Sequence, residues 1–360
     1  MTRVIMAMSG GVDSSVGAAL LLEQGYEVIG VTMQLWASDL PYGMELEGGC
    51  CSIGAVEDAR TVANQLGIPY YVLNMAAPFR TQVIDYFVAE YLAGRTPNPC
   101  IVCNQRLKFQ DLLEKAQALE AEYIATGHYV QCQYDQATGR WLLVKGLDST
   151  KDQSYVLYGM TQKQLSHSLF PVGNYSKTEI RQKATQLGLN VANKPDSQEI
   201  CFVPDQDYAR FIQEYAPKKM QPGKIVDTSG RVLGKHAGIV HYTIGQRKGL
   251  GIAASEPLYV VAIDAKQHEV VVGSAEEVFA SSLVAQALNW IVFESLVEKM
   301  EVEVKIRYTA KPALAMIEPL ENGEILVNFC EPQRAITPGQ AVVFYQGELV
   351  LGGGTIERII

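Results

Sequence analysis

Residues 9–15 read S-G-G-V-D-S-S, and the fold turns on them. An apolar run, Val4-Ile5-Met6-Ala7-Met8, leads in, and an apolar helical pattern from Val16 to Leu22 leads out. Strand, Gly-rich turn, helix is the layout that offers backbone N–H groups to phosphates at a helix N-terminus. Gly10 and Gly11 let the backbone approach a ligand closely, and Ser9, Ser14 and Ser15 add hydroxyls. There is no G-K-[ST], so the lysine of an ordinary P-loop is missing and an aspartate, Asp13, stands in the loop instead. A carboxylate beside phosphates is tolerable if it holds Mg²⁺ or favours the helix N-terminus. A loop without a lysine for the terminal phosphate is not built for γ-phosphoryl transfer. It is suited to clasping the pyrophosphate end of ATP while the α-phosphate reacts, giving an adenylated substrate and pyrophosphate. The bland alternative is a Gly/Ser turn that starts a helix, with Asp13 as a favourable charge; the flanking strand and helix argue against it.

Outward from the loop, strand and helix alternate. Strands are expected at 3–8, 27–33, 69–74 and 122–127, with helices at 14–24, 55–66, 78–93 and 108–120. This is the rhythm of a doubly wound parallel sheet, α/β in class, whose ligands bind beyond the strand C-termini. Ser9–Ser15, Met33 and Gly127 all fall there. Next comes a hairpin signal, 129–134 and 141–145 around Asp135–Gly139, and then helices at 161–168, 176–187 and 205–215. Ser176-Lys-Thr-Glu179 reads as a capping box. After Pro217 the chain is rich in turns and β signals, and from about 277 short alternating strands predict a small β-barrel. The expected division is a catalytic domain over 1–215, a central β-rich domain over 216–276 and a C-terminal β-barrel over 277–360.

The net charge of −9 over 360 residues hides an asymmetry. Residues 140–250 carry 16 Lys+Arg against 9 Asp+Glu, and the remainder carries 14 against 30. A locally basic stretch can meet a phosphate backbone, although an ordinary solvated surface looks the same at this level. No apolar run approaches the ~20 residues that span a bilayer. The N-terminus enters a strand without a signal-peptide layout, so a cytoplasmic address is expected. Seven cysteines are too few and too scattered for a secreted disulfide framework.

Two cysteine segments carry chemistry. Thr96–Phe109 reads T-P-N-P-C-I-V-C-N-Q-R-L-K-F, a C-x-x-C in a Pro-stiffened loop between helices. It can be a redox pair, half of a zinc or iron–sulfur site, or a single nucleophilic thiolate whose pKa Arg106 and Lys108 lower. Lys194–Val203 reads K-P-D-S-Q-E-I-C-F-V, in which Cys201 alone would be an ordinary core-strand cysteine. Cys50 and Cys51 are taken as structural.

Five motifs occur in order: S-G-G-V-D-S-S at 9–15, N-P-x-x-x-C-N-x-x-x-K-F at 98–109, A-T-G-H-Y at 125–129, K-D-Q-S-Y at 151–155 and D-S-Q-E-I-C-F at 196–202. With G-x-V-x-Y-T-I-G-Q-R-K-G-L at 238–250 and Arg307-Tyr308 in the tail, the chain resembles the bacterial tRNA-specific 2-thiouridylases of the PP-loop ATP pyrophosphatase superfamily along essentially its whole length. Those enzymes adenylate O2 of the wobble uridine and replace that oxygen with sulfur. The resemblance implies that Ala7, Met8, Ser9, Gly10, Gly11, Val12, Asp13 and Ser14 bind ATP with Mg²⁺, and that Met33 and Gly127 meet adenosine. It implies that Asn98, Pro99 and Cys100 meet the target base, that Cys103 is the nucleophile, and that Cys201 carries sulfur as a persulfide. Asp13 would serve the adenylation. Lys151, Asp152, Gln153, Arg307 and Tyr308, with His128 and Gln340, would contact tRNA. A sulfur-relay protein or cysteine desulfurase would supply the sulfur, the tRNAs would be those for lysine, glutamate and glutamine, and the chain would be a monomer. Turnover would leave a Cys103–Cys201 disulfide.

Many members have Asp where this chain has Cys100. The substitution puts a second thiol near Cys103, and with Cys201 makes three cysteines, the number needed for a labile iron–sulfur cluster with one open iron. Two rivals stand beside this reading: an amidating PP-loop ligase, for which no glutaminase region is visible, and a non-catalytic RNA- or ATP-binding protein. Arg307 reads equally as barrel surface, Lys151-Asp152 as a hairpin-end ion pair, and His128 as a core histidine.

Overall fold

The computed structural model describes residues 1–35, 53–196 and 200–360. Cys50 and Cys51 lie outside them, as do Ser197, Gln198 and Glu199 of the D-S-Q-E-I-C-F motif. The chain forms two compact units, one of Met1–Val83, Cys100–Gln206 and Glu348–Val350, the other of Ile84–Pro99, Asp207–Gly347 and Leu351–Ile360.

The first unit is the doubly wound α/β domain. Its strands are β1 (Arg3–Ala7), β2 (Glu27–Gln34), β3 (Tyr70–Asn74), β4 (Tyr123–Ala125), the hairpin β5 (Val130–Asp135) and β6 (Arg140–Lys145), and the short β7 (Ser168–Leu169). The sheet runs β3-β2-β1-β4-β7, every pair parallel. Val4, Ile5 and Met6 of β1 are all fully buried, as expected of a strand covered on both faces. Val4 and Met6 share a core with Val16 and Leu20 of the helix Val12–Glu23, Ala59 and Val62 of the helix Ile53–Leu66, and Ile180 and Ala184 of the helix Lys177–Gln186. That last helix starts with the capping box read from sequence: the Ser176 side chain accepts from the Glu179 N–H, and Glu179 reaches back to the Ser176 N–H.

Two helices differ from expectation. The segment expected as one helix over 78–93 is helix Ala76–Phe79, a π-helical turn Arg80–Ile84 and helix Asp85–Leu92. The Pro-stiffened loop around Cys100 and Cys103 is helical. Pro99 opens a short helix, Pro99–Val102, and Cys103 is the first residue of a nine-residue π-helix, Cys103–Asp111. Proline with its fixed φ is well suited to the first position of a helix, so the residue that suggests a stiffened loop here starts a helix.

The second unit holds the β8 (Gly223–Asp227), β9 (Val232–His236), β10 (Tyr259–Asp264) and β11 (Glu269–Gly273) sheet, ordered β10-β11-β8-β9. It also holds the barrel strands β12 (Phe279–Trp290), β13 (Met300–Lys305), β14 (Ala313–Pro319), β15 (Ile325–Arg334), β16 (Ala341–Gln346) and β17 (Leu349–Ile359). They run β12-β15-β14-β13-β16-β17, and β12 pairs with β17 to close a six-stranded antiparallel barrel. The barrel is as expected, but the strand pair that closes it is not evident from the sequence pattern. Register shifts and Ala287 at φ +50° break the alternation of β12. In β17, Gly352 and Gly354 stand where a Cβ would meet the carbonyls of Asn289 and Gln286 at 2.3 and 2.7 Å. These glycines are what lets the two strands meet.

Candidate active site

Sheet order reverses about β1, whose neighbours are β2 on one side and β4 on the other. A doubly wound sheet binds ligands at that switch point, where the turns after β1 and β4 face each other. They touch closely: a Cβ on Gly127 would lie 2.7 Å from the Ser14 nitrogen and 3.1 Å from Asp13 Cβ. Gly10, at φ +67°, packs against the Ile53–Leu66 helix so tightly that a Cβ would sit 2.2 Å from the Ala55 carbonyl oxygen. Ser14 Oγ accepts from the Ser9 N–H at 3.2 Å, and Ser15 Oγ donates to the Gly11 carbonyl at 2.8 Å. The helix after the loop has Gly11 at its N-cap, and no side chain caps it. Two side-chain-free approaches and an uncapped helix N-terminus fit a polyphosphate. Ala7 ends β1, Met8 and Val12 are buried, and Met33 is buried near the end of β2.

The loop is not without lysines. Lys177, 8 % exposed, places its ammonium 2.8 Å from both carboxylate oxygens of Asp13 and 2.7 Å from Asp196 Oδ1. Tyr129 donates its hydroxyl to Asp13 Oδ1 at 2.6 Å. Burial and the charge of Asp13 push that phenol's pKa well up, so it remains a donor. Asp196 also takes Lys151 at 2.8 Å and Arg181 at 3.3 Å. Burial works to raise the Asp196 pKa, but the hydrogen bonds from Lys151 and Lys177 prevail and hold it below the usual carboxylate range. Lys194 bonds the Gly10 carbonyl at 3.0 Å and Asp58 at 2.6 Å. Asp13 was expected to hold Mg²⁺ or favour the helix; here its carboxylate is engaged by an ammonium and a phenol. Among the described residues no group of three His, Cys, Asp or Glu is placed to hold a metal ion. Asp13 is the carboxylate that would share a Mg²⁺ with a nucleotide, since Mg²⁺ needs only one or two carboxylates beside phosphates, and Lys177 would then compete for the same carboxylate.

The K-D-Q turn belongs to the same network. Asp152 accepts from the N–H groups of Gly146 and Ser154, and Gln153 Oε1 accepts from the Tyr129 N–H at 3.0 Å. His128, expected at the RNA surface, is 9 % exposed, with Nδ1 2.8 Å from Thr126 Oγ1 and its ring against Phe109. Burial, then the Lys108 charge, holds its pKa well below the ordinary value, so the imidazole is neutral.

Cys100 is exposed and Cys103 half-buried, and Asn104 behind them is 3 % exposed, its Nδ2 donating to the Val156 carbonyl at 3.2 Å. Cys201 is half-buried. The next residue, Phe202, sets its ring edge-on to Phe79 at 5.8 Å, and the Ala76–Phe79 helix packs on the Cys103–Asp111 helix. One short helix therefore neighbours both cysteine segments. Cys132 is half-buried and Cys330 exposed. The three cysteines considered for an iron–sulfur cluster are not gathered as a ligand set.

The second unit carries the remaining sequence-derived residues. Asn98 is half-buried and Pro99 buried. Gln340 donates to the Thr96 carbonyl at 2.8 Å, Arg307 donates to the Ala335 carbonyl, and Tyr308 is 40 % exposed with Lys305 over its ring.

The sequence reading missed Lys177, Asp196 and Tyr129 as a constellation. Tyr129 and Asp196 lay inside quoted motifs, but Lys177 lay inside a capping box, where only Ser176 and Glu179 drew notice.

Family models match three consecutive stretches: a tRNA methyl transferase HUP domain over residues 2–205, a tRNA methyl transferase PRC-barrel domain over 209–274 and an aminomethyltransferase beta-barrel domain over 280–356. Curated relatives match nearly end to end. The chain is 58% identical over 356 residues to tRNA-specific 2-thiouridylase MnmA 1 of Thermoanaerobacter pseudethanolicus, covering 99% of this chain and 98% of that one. It is 59% identical over 357 residues to tRNA-specific 2-thiouridylase MnmA of Heliobacterium modesticaldum, covering 99% and 92%. It is 55% identical over 358 residues to the Clostridium perfringens protein of the same name, covering 99% of each.

Proposed function

The chain belongs to the tRNA-specific 2-thiouridylase family, and on that premise we propose that it is a tRNA-uridine 2-sulfurtransferase that uses ATP to replace O2 of the wobble uridine with sulfur. The full-length identity of 55–59% to proteins of that name carries the reading. The uncapped helix N-terminus at Gly11 and the two cysteine segments around one helix support its two halves, adenylation and sulfur transfer.

A carbonyl oxygen is a poor leaving group. In the proposed sequence uridine O2 attacks the α-phosphorus of ATP and pyrophosphate leaves, held by the backbone N–H groups of Gly10–Ser14. The terminal sulfur of a Cys201 persulfide then reaches C2, and AMP leaves. The Cys103 thiolate attacks the inner sulfur of that persulfide, which frees the terminal sulfur for transfer and joins Cys103 to Cys201. An external reductant reopens the disulfide with two electrons. Mg²⁺, when bound, screens the charge that gathers on the phosphates, with Asp13 as its protein carboxylate. The target base, in a single-stranded loop, can be splayed out without melting a duplex. Asn98, Pro99 and Cys100 are assigned to that base, Met33 and Gly127 to adenosine, and Lys151, Asp152, Gln153, Arg307, Tyr308 and Gln340 to the RNA; His128, buried against Phe109, is a core histidine instead. Residues 1–215 form the catalytic part, 216–276 the central part and 277–360 the RNA-docking barrel of a cytoplasmic monomer. A cysteine desulfurase or sulfur-relay protein loads Cys201, and the tRNAs are those for lysine, glutamate and glutamine.

The test is incubation with unmodified tRNA, ATP, Mg²⁺ and a persulfide donor, followed by mass analysis of the nucleosides and assay of AMP. The expected products are 2-thiouridine and tRNA-dependent AMP. A methylated uridine, formed only when a methyl donor is added, would instead support the activity in the family-model descriptions, and neither product would leave a binding protein.

A further inference from the structure

Lys177 is one member of a closed ring of contacts. From the nucleotide loop, Asp13 bonds Tyr129, whose N–H and carbonyl are both bonded to Gln153. Gln153 adjoins Asp152 and Lys151 in the chain. Lys151 pairs with Asp196, Asp196 with Lys177, and Lys177 returns to Asp13. Tyr129 and Gln153 form its fixed side, tied backbone to side chain and backbone to backbone. Its other side is ionic. The Lys177 ammonium has three N–H bonds and three carboxylate oxygens, at 2.8, 2.8 and 2.7 Å, shared between Asp13 and Asp196. Asp196 also carries Lys151 and Arg181, and the more cations it holds, the weaker its pull on Lys177. The Lys151 side chain is the exposed end of the network, 38% accessible, and can leave Asp196 for a phosphate at little cost.

We propose that Lys177 is a positioning residue that makes nucleotide binding responsive to RNA. Without RNA it occupies the Asp13 carboxylate. When an RNA phosphate draws Lys151 off Asp196, that carboxylate pulls Lys177 toward itself, and Asp13 is released to the nucleotide and its Mg²⁺. ATP is then bound for reaction chiefly when the RNA to be adenylated is present. The inference rests on the proposed tRNA and ATP substrates and adds the residue that links them.

The test is the dissociation constant of α,β-methylene ATP with Mg²⁺, measured with and without saturating unmodified tRNA. The full-length wild type is compared with Lys177→Met, Asp196→Asn and Lys151→Met, after checking folding by circular dichroism and tRNA saturation by filter binding. In wild type, tRNA tightens the nucleotide about tenfold. In each variant the ratio falls to within about twofold, and Lys177→Met binds nucleotide without tRNA about as tightly as wild type does with it. A merely structural Lys177 would weaken both arms together and leave the ratio unchanged; that result overturns the proposal, as does a wild-type ratio near one. If Lys177→Met does not fold, Asp196→Asn and Lys151→Met decide it by the same ratio. Wild type that binds no tRNA at all sinks the functional reading and this inference with it, whereas wild type that binds both ligands independently sinks this inference alone.

Discussion

A Cβ added to Gly127 would lie 2.7 Å from the backbone nitrogen of Ser14 and 2.9 Å from the carbonyl carbon of Asp13. The turn after β4 and the loop after β1 are thus in contact with no room for a methyl group. Both neighbours are backbone, which cannot turn aside as a flexible side chain would. Gly127→Ala is expected to displace the loop and weaken ATP binding at least about tenfold, equivalent to about 1.4 kcal/mol. Equilibrium dialysis against wild type checks this, and unchanged affinity would show that the contact is not part of the nucleotide site.

Arg95 joins the Asp85–Leu92 helix to the last barrel strand within the second unit. Its guanidinium bonds Glu90 at 2.8 Å, Glu357 at 2.7 Å and the Ile356 carbonyl at 3.3 Å, and the side chain is 18% exposed. Gln286 donates to the same Glu357 carboxylate. Arg95→Met leaves two carboxylates without their cation. The expected loss is about 2 kcal/mol, less than for a fully buried pair because water reaches part of the group. Urea unfolding measures it, with the shift in midpoint expected at constant slope.

His128 gives stability a calculable pH dependence. Its folded-state pKa lies well below the ordinary value, from burial first and the Lys108 charge second. Below about pH 6.5 the unfolded chain binds a proton that the folded chain does not. Stability therefore falls as pH drops below that point, with a limiting slope of about 1.4 kcal/mol per pH unit, and this contribution is constant above it. His128→Gln is expected to flatten the profile between about pH 5 and 6.5 relative to wild type. Parallel profiles would mean that the imidazole is protonated in the folded state.

Sequence alone carried the fold a long way because its decisive signals are local. A strand, a Gly-rich turn and a helix adjoin at 3–23, Ser176 caps its own helix, and the hairpin around Asp135–Gly139 closes on itself. What stayed hidden depends on distant partners. Lys177 and Asp13 are 164 positions apart, and nothing near Lys177 in the chain reveals that its ammonium is buried against the loop after β1. The β12–β17 seam is hidden for a related reason: bulges in β12 and glycines in β17, which look like interruptions, are what the partner strand requires. The prolines near Cys100 mislead differently, since the same residue type stiffens loops and starts helices.

The central claim is that adenylation and sulfur transfer are separable steps, the second needing Cys103 and Cys201. It is tested most directly by scoring pyrophosphate and 2-thiouridine separately for wild type, Cys103→Ser, Cys201→Ser and Cys100→Ser, with unmodified tRNA, ATP, Mg²⁺ and a persulfide donor. The account predicts that tRNA-dependent pyrophosphate release, for at least one turnover, persists in all four proteins, and that thiolation is lost in Cys103→Ser and Cys201→Ser but retained in Cys100→Ser. Persulfide-driven thiolation by Cys201→Ser, or its loss in Cys100→Ser to the same degree as in Cys103→Ser, would contradict it.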